Sequence, residues 1–327
     1  MEQRSLAQGV DLSLIVPCYN EAGNIRRFQE EAAAAFASSG LSYELVFVND
    51  GSADGTADEL RELFRENGAL IQVVSFSRNF GKEAAMLAGL GAARGEFIAF
   101  VDADLQQPPA RVLDMVRILQ TEPEYDCVAA YQAERKEGAL QKGLKSCFYS
   151  LINRFSDVDF VMNASDFRTV RRPVADALLS LGEAHRFSKG LFSWVGFETK
   201  YIPYEVRERS RGESKWSLMK LFRYAWDGIL SFSTAPIKMA IYLGLTFAVL
   251  SAIYLVVVLV QKLAFSISVP GYATIVCLIL LLGGLQLFFL GILGEYIARI
   301  YIQVKQRPHY VVKERLQWED RDHADED

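Results

Sequence analysis

Two long segments in the last third of this chain contain no charged residue: Met239 to Gln261 and Leu263 to Gly294. Hydrocarbon offers no partner to a backbone N–H or C=O group, so a segment that enters it must fold as a helix. About 20 helical residues cross a bilayer core of ~30 Å. The pattern therefore predicts a two-helix transmembrane hairpin, at about 236–262 and 272–296. A helical hairpin inside a soluble core is disfavoured, because two successive uncharged segments of this length are rare there.

Basic residues surround the open end of the predicted hairpin. Cytosolic loops of membrane proteins carry an excess of Lys and Arg, so we expect both ends of the hairpin to lie in the cytosol. Met1 to Gly9 lacks the apolar segment of a signal peptide, and we expect the domain before the hairpin to stay in the cytosol as well. The predicted location is the inner (cytoplasmic) membrane, crossed twice. The flanking basic residues are Lys238, Arg299, Lys305 and Arg307.

Composition agrees with a membrane protein that also carries a soluble domain. Hydrophobic residues make up 51% of the 327 positions, and the mean hydropathy of +0.11 is high for a wholly soluble chain. The net charge is −5, partly from the acidic residues of 318–327, and it argues against nucleic acid as a partner. The four cysteines have neither paired nor zinc-type spacing, which favours a reducing compartment.

The first part of the chain alternates β-branched or aromatic runs with Ala-, Leu- and Glu-rich stretches at helical spacing. This alternation predicts an α/β fold with a doubly wound, mostly parallel sheet of the nucleotide-binding type. The predicted strands are Leu12–Val16, Glu44–Val48, Ile71–Phe76, Phe97–Val101 and Cys127–Tyr131. The predicted helices are Ala22–Ala37, Thr56–Glu66, Glu83–Ala93 and Ala110–Gln120. In open sheets of this kind, ligands bind beyond the carboxyl ends of the strands.

Two further stretches, at about 140–156 and 216–233, have apolar residues at helical spacing with Lys and Arg on other faces. Such amphipathic helices suit the interface of an anionic membrane, although packing on the sheet would give the same pattern. We therefore expect a cytosolic domain over 1–235 that includes both helices, two transmembrane helices over 236–298, and a cytosolic tail over 299–327 whose end is disordered.

Asp102 and Asp104 follow a buried strand, at the sheet edge where Asp50 ends another strand. Paired carboxylates can hold a hard cation such as Mg²⁺ or Mn²⁺, with water and phosphate oxygens completing its shell. The Asp-x-Asp pattern alone is more often a turn or a helix cap, and Pro108-Pro109 downstream would suit a cap. The neighbouring Asp50 favours a metal and diphosphate site.

Four motifs in this order resemble the inverting family 2 glycosyltransferases, and the resemblance covers about Leu12 to Val312. Within that family they most resemble the polyprenyl-phosphate branch, which includes dolichyl-phosphate mannose synthase and the bactoprenol glucosyltransferases. The resemblance implies a GT-A type sheet. The motifs are Ile15-Val16-Pro17-Cys18-Tyr19-Asn20-Glu21, Val48-Asn49-Asp50-Gly51-Ser52, Asp102-Ala103-Asp104-Leu105-Gln106 and Gly212-Glu213-Ser214-Lys215, supported by Ser77 to Glu83 and Leu293 to Arg299.

The resemblance also implies roles for individual residues. Residues expected to bind the nucleotide-sugar are Pro17, Tyr19, Glu21, Asp50, Lys82, Asp102 and Ala103. Asp104 and Gln106 resemble the metal ligands, while Arg209 and Lys215 resemble cations that close on phosphate during catalysis. Residues expected to bind the acceptor phosphate are Arg135, Arg168, Lys189 and Ser214. Relatives commonly place Arg where Gln132 aligns, which leaves the phosphate contacts there open.

Asp166 resembles the acidic residue near the acceptor in this family, to which a base role is often given. A phosphomonoester has its second pKa near 6, so the acceptor phosphate is mostly dianionic at neutral pH and needs little deprotonation. Asp166 can therefore be a base, a residue that positions Arg168 or Lys189, or a purely structural residue.

The resemblance and the predicted hairpin together imply transfer of a sugar, glucose from UDP-glucose being favoured, to undecaprenyl phosphate with inversion to a β-linkage. The expected partners are a UDP-sugar, a polyprenyl phosphate and the bilayer, with a homo-oligomer in which Tyr310 to Val312 is exchanged between protomers. Two alternatives are a processive polysaccharide synthase of the same fold and a non-catalytic scaffold in glycan export. The missing Gln-x-x-Arg-Trp signature argues against the first, and the intact acidic motifs against the second.

Overall fold

The computed structural model describes residues 9–132, 164–184, 186–204, 233, 235–265 and 271–317. The chain divides into two compact units. One holds the sheet, its covering helices and the segment from Pro308 onward, and the other holds two long helices. The predicted helices at 140–156 and 216–233, apart from Ser233, and the tail from 318 lie outside the described residues.

Four parallel strands form the centre of the sheet, as the sequence predicts. They are β1 (Leu12–Cys18), β2 (Tyr43–Asn49), β3 (Ile71–Phe76) and β4 (Phe97–Phe100). Helices α1 (Ile25–Phe36), α2 (Thr56–Asn67), α3 (Lys82–Ala92) and α4 (Ala110–Thr121) alternate with them. Helices cover both faces, so these strands are buried almost throughout and show no polar alternation.

The whole sheet has eight strands in the order β7-β5-β6-β4-β1-β2-β3-β8. The predicted strand β5 (Cys127–Gln132) is present, but β6 (Ala164–Arg171) lies between it and β4 and runs antiparallel to both. Strand β7 (Thr199–Tyr204) is parallel to β5 at the edge. In β6 the charged residues Asp166, Arg168 and Arg171 interrupt a run that contains the buried Phe167, Thr169 and Val170. This interruption hides β6 in the sequence, and β7 was not predicted either.

The position of β6 decides where two predicted site residues lie. Arg168 is paired with Phe100, the last residue of β4. Since the strands are antiparallel, continuing this register beyond β4 brings Asp166 opposite Asp102. Two short helices follow β6, namely α5 (Arg172–Ser180) and α6 (Ser188–Trp194).

The second unit contains the predicted hairpin. Helix α7 spans Ala235–Phe265 and helix α8 spans Tyr272–Val304. The segments Ala235–Val258 and Leu281–Val304 have mean hydropathies of 2.4 and 1.6, so both helices are long and apolar enough to cross a membrane. The predicted spans at 236–262 and 272–296 fall within these two helices.

A short strand after the hairpin closes one edge of the sheet. Strand β8 (Val312–Leu316) pairs antiparallel with β3, and Arg61 forms an ion pair with Glu314 at 3.0 Å. Tyr310 stacks on Phe76 with ring centroids 4.8 Å apart. This edge is therefore filled within one chain, and exchange of the segment between protomers stays a prediction.

We expect Tyr310→Ala to lower the free energy of unfolding by about 1 kcal/mol or more, because a stacked aromatic pair contributes about 0.5–1.5 kcal/mol beyond its buried area. Tyr310→Phe keeps the ring and serves as the control. The measurement is the thermal unfolding midpoint of the full chain in detergent. Equal midpoints for the two variants would contradict this assignment.

Candidate active site

The loops that follow β1 and β2 interlock at the carboxyl edge of the sheet. Asn20 has a positive φ of 56°, its backbone N–H donates to Ser52 Oγ at 3.0 Å, and its Oδ1 accepts from Ala53 N at 2.9 Å. The neighbouring Tyr19 is 49% exposed. A large ring left open on a fixed loop beside the strand ends is suited to contact a nucleotide base, as predicted for Tyr19.

The other two predicted residues of this loop are held more firmly. Pro17 lies in β1 opposite Val48 of β2. The backbone N–H of Glu21 donates to Thr56 Oγ1 at 2.9 Å, and Glu21 Oε2 accepts from Asn24 Nδ2 at 2.7 Å. Pro17, Tyr19 and Glu21 thus share one ordered loop beside the end of β2, although no contact here tests their expected role in nucleotide binding.

Asp50 at the end of β2 is buried and holds the loop that leads into α3. Its two carboxylate oxygens accept from the backbone N–H groups of Phe80 at 2.6 Å and of Gly81 at 2.9 Å. Burial raises the pKa of Asp50, and these two hydrogen bonds oppose that effect. Gly51, at a φ of 63°, packs directly against the backbone of this loop, and a Cβ at this position would be 2.3 Å from the Arg78 carbonyl carbon. Asp50 therefore fixes the start of α3, a contact that adds to its predicted role in binding the nucleotide-sugar.

The segment after β4 alternates between buried and partly exposed side chains. Asp102, Asp104 and Gln106 are partly exposed, whereas Ala103 and Leu105 are buried in the core. Leu105 adopts a positive φ of 60°, and Asp104 Oδ1 accepts from the Gln106 backbone N–H at 3.1 Å. The predicted metal ligands Asp104 and Gln106 thus lie in one tight turn, with their side chains toward the open side of the segment.

The burial of Ala103 narrows how this residue could contact the nucleotide-sugar, a role that stays a prediction. Its methyl group is 2% exposed and packs within the core, so the side chain does not face a nucleotide. A contact from this position to the donor must come from the backbone.

Gln107, which the sequence analysis missed, holds Asp102 in place. The side chain of Gln107 is buried; its Oε1 accepts from the Asp102 backbone N–H at 2.9 Å, and its Nε2 donates to Asp102 Oδ2 at 3.1 Å. The sequence gives little sign of this role, because Gln107 is the second Gln of a Gln-Gln-Pro-Pro run and either glutamine could face the core.

Lys82, the first residue of α3, joins the two carboxylates that β4 and β6 bring together. Its Nζ lies 2.6 Å from Asp102 Oδ1 and 3.2 Å from Asp166 Oδ2. Burial works to lower the pKa of Lys82, but the two carboxylates outweigh it and hold that pKa above its ordinary value. Lys82 is therefore a permanent cation between two aspartates that would otherwise repel each other.

Asp166 is surrounded by positive charge. Burial works to raise its pKa, but Lys82, Lys189 and Arg168 outweigh that effect and lower the pKa below its ordinary value. For Lys189, burial together with repulsion from Arg168 and Lys82 lowers the pKa, against the attraction of Asp166. Asp166 is thus ionised at neutral pH, which makes it a poor base and a good partner for these cations.

Arg168 lies deeper than its predicted role requires. It is 4% exposed, its guanidinium stacks on the Phe192 ring at 3.9 Å from the centroid, and one terminal nitrogen donates to Ser165 O at 3.0 Å. In this conformation the guanidinium is buried and lowers the pKa of Asp166, and its expected contact with the acceptor phosphate stays a prediction. Lys189 is more exposed and remains a candidate for that contact.

Four predicted residues lie outside the described residues: Arg135, Arg209, Ser214 and Lys215. Gln132 ends β5, but its side chain is also outside the described set. The expected phosphate-binding roles of all four residues stay predictions.

We expect Gln107→Leu to lower the free energy of unfolding by about 1–3 kcal/mol, because it leaves the Asp102 backbone N–H buried without its partner. The same change should raise the KM for the nucleotide-sugar. Gln120→Leu, an exposed residue at the end of α4, is the control and should change neither quantity. Chemical denaturation and steady-state kinetics measure the two effects, and identical behaviour of both variants would contradict the role given to Gln107.

Comparison with known proteins places this site in a family. The model for glycosyl transferase family 2 matches residues 13–179, and the model for the GtrB C-terminal hairpin matches residues 235–300. Among solved structures, a glucosyl-3-phosphoglycerate synthase from Mycobacterium tuberculosis has 21% identity and a TM-score of 0.47, covering 68% of this chain and 79% of that one.

Two relatives illustrate the similarity over nearly the full length. The Bacillus subtilis (strain 168) protein CsbB, whose name describes it as a glycosyltransferase, is 42% identical over 94% of this chain and 93% of its own. An SfII prophage-derived bactoprenol glucosyl transferase of Shigella flexneri is 38% identical over 92% of this chain and 97% of its own. The chain belongs to glycosyltransferase family 2.

Proposed function

We propose that this glycosyltransferase transfers glucose from UDP-glucose to undecaprenyl phosphate and forms a β-linked polyprenyl-phosphate monosaccharide. The observation that carries the proposal is that one chain contains both the Lys82, Asp102 and Asp166 site and a helical hairpin long and apolar enough to cross a membrane. An isoprenoid acceptor stays in the bilayer, so an enzyme that uses it must work at the headgroup plane. Relatives at 37–38% identity are named bactoprenol glucosyl transferases, which supports glucose as the sugar.

The site offers different groups to the two substrates. Tyr19, Asp50 and Asp102 lie at the ends of β1, β2 and β4, where a nucleotide binds in an open sheet of this kind. Lys189 on α6 is close enough to Asp166 for each to shift the pKa of the other, and we assign this cation to the acceptor phosphate. Lys82 contacts both Asp102 and Asp166, and so connects the residues assigned to the donor with those assigned to the acceptor.

The reaction follows from this arrangement. An oxygen of the dianionic acceptor phosphate attacks the anomeric carbon, the bond from that carbon to the diphosphate breaks, and its electron pair leaves with UDP. Attack from the side opposite the leaving group inverts the configuration. The nucleophile arrives already ionised, so Asp166 is not needed as a base, and it instead positions Lys82 and Lys189.

A divalent cation, Mg²⁺ or Mn²⁺, fits the oxygen donors of Asp104 and Gln106. Among the described residues no three His, Cys, Asp or Glu side chains are grouped to hold a metal. A cation at Asp104 and Gln106 would therefore need oxygens of the diphosphate and of water as well, as these ions commonly do in phosphate sites. When bound, it supplies positive charge to the departing UDP.

The orientation proposed for the chain places the catalytic domain and both ends of the hairpin on the cytosolic side of the inner membrane. Lys238 at the start of the first helix and Arg299, Lys305 and Arg307 at and beyond the end of the second support it. We also propose the three-part division of the chain into the domain of 1–235, the hairpin of 236–298 and the tail.

We expect the purified full chain in lipid nanodiscs to convert undecaprenyl phosphate and radiolabelled UDP-glucose into a single labelled lipid that carries one sugar. Lipid extraction followed by chromatography measures it. A labelled polymer would favour a processive synthase instead. If another nucleotide-sugar gives a labelled lipid and UDP-glucose does not, UDP-glucose is not the donor. If no nucleotide-sugar gives a labelled product, the non-catalytic scaffold is favoured.

We expect Asp104→Asn to reduce transfer at least about a hundredfold, because loss of a metal ligand removes several kcal/mol of stabilisation from the transition state. Membrane insertion should be unchanged. Asp114→Asn, which removes a half-exposed carboxylate from a surface ion pair with Arg111, is the matched control and should transfer normally. Normal transfer by Asp104→Asn would rule out the metal assignment.

A further inference from the structure

Two neighbouring residues at the start of α3 point to different parts of the site. Lys82 contacts the carboxylates of Asp102 and Asp166. Glu83 contacts α6 instead: its Oε2 accepts from the Ser188 backbone N–H at 3.1 Å and also from the Ser188 hydroxyl. No role in the proposed reaction has been given to Glu83 so far.

The helix that Glu83 contacts carries two groups of the acceptor side. Ser188 is its first residue, and the next residue, Lys189, is one of the cations that lower the pKa of Asp166. One turn further, the ring of Phe192 supports the Arg168 guanidinium and packs edge-on against Phe100, with centroids 5.7 Å apart. The position of α6 therefore decides where Lys189 lies relative to Asp166 and how the Arg168 guanidinium is supported.

A helix of this length cannot hold its own position. Helix α6 has seven residues, and isolated helices shorter than about 12–15 residues are marginal in water. Its placement must come from tertiary contacts. Apolar contacts from Leu191 and Phe192 give it a buried face, but they leave rotation and sliding along that face less restricted than a directed hydrogen bond does.

The cost of placing a carboxylate at this position indicates that the contact is needed. Burial raises the pKa of Glu83, the hydrogen bonds from Ser188 lower it, and the nearby Asp166 raises it further. An apolar residue there would avoid this desolvation. The carboxylate does something that an apolar residue cannot, because it accepts two hydrogen bonds from the first residue of α6.

We propose that Glu83 is a positioning residue that fastens α6 to α3 and so sets Lys189 and Phe192 around Asp166 for the acceptor phosphate. The acceptor part of this proposal rests on the proposed function. The same helix α3 then fixes both sides of the reaction, because Lys82 holds the ends of β4 and β6 while Glu83 holds the acceptor-side helix.

Kinetics separate this role from general stabilisation. We expect Glu83→Ala to raise the KM for undecaprenyl phosphate about tenfold or more and to leave the KM for UDP-glucose within about twofold, since ~1.4 kcal/mol corresponds to a tenfold change. Glu83→Gln keeps an accepting oxygen at the same reach and should restore most of the affinity for the acceptor. Glu62→Ala, an exposed glutamate on α2, is the matched control and should behave as wild type.

Amide hydrogen exchange tests the same contact without any activity. In Glu83→Ala we expect faster exchange in residues 188–194, while α1 and α2 exchange as in wild type. Unchanged exchange in 188–194, or an equal rise of both KM values, would overturn the positioning role. If the wild type transfers no sugar to undecaprenyl phosphate but the exchange difference is found, the proposed function fails while the fastening of α6 by Glu83 stands.

Discussion

The Lys82 ammonium group stands between two carboxylates that come from different strands, and the arrangement of the site depends on it. Asp102 follows β4 and Asp166 lies near the start of β6, so antiparallel pairing of those strands places two negative charges side by side. Like charges at such a distance disfavour ionisation of one of them. With the lysine beside it, Asp166 has a pKa below its ordinary value, and Lys189 and Arg168 lower that pKa further.

Several contacts serve to place that lysine and its partners. Asp50 accepts two backbone hydrogen bonds from the residues just before Lys82, and Gln107 holds Asp102 by a reciprocal pair. Glu83 fastens the helix that carries Lys189. Each of these three residues is at least partly buried and holds in place a loop, a helix or a side chain that carries a charged group of the site, which is how a site is kept in shape before substrate binds. The fixed charges can then act on the developing negative charge of UDP with little reorganisation.

Much of the fold could be predicted from the sequence, because the parallel strands are buried on both faces and read as continuous apolar runs. The hairpin was predictable for a similar reason, since charge is absent over two long segments.

Strand β6 was missed because Asp166, Arg168 and Arg171 interrupt its apolar pattern, and those charges are there for the site and for pairing rather than for the core. The grouping of Lys82 with Asp102 and Asp166 depends on that strand, so residue spacing alone could not reveal it. The contacts of Gln107 and Glu83 join elements by side-chain geometry and leave no periodic signal. The resemblance gives Ala103 and Arg168 binding roles, whereas their burial follows from packing that a motif does not describe.

The ion pair with Lys82 is the main interaction that lowers the pKa of Asp166 and keeps its carboxylate charged. A double-mutant cycle of Lys82→Met and Asp166→Asn, measured by unfolding of the full chain across pH, tests it most directly. Because the folded-state pKa of Asp166 is lowered, the stability it contributes is present above the ordinary aspartate pKa of about 3.9 and is lost as pH falls through the lowered value. We expect a favourable coupling energy at about pH 7 that declines toward about pH 3. A coupling energy near zero at neutral pH, or one that does not change with pH, would contradict it.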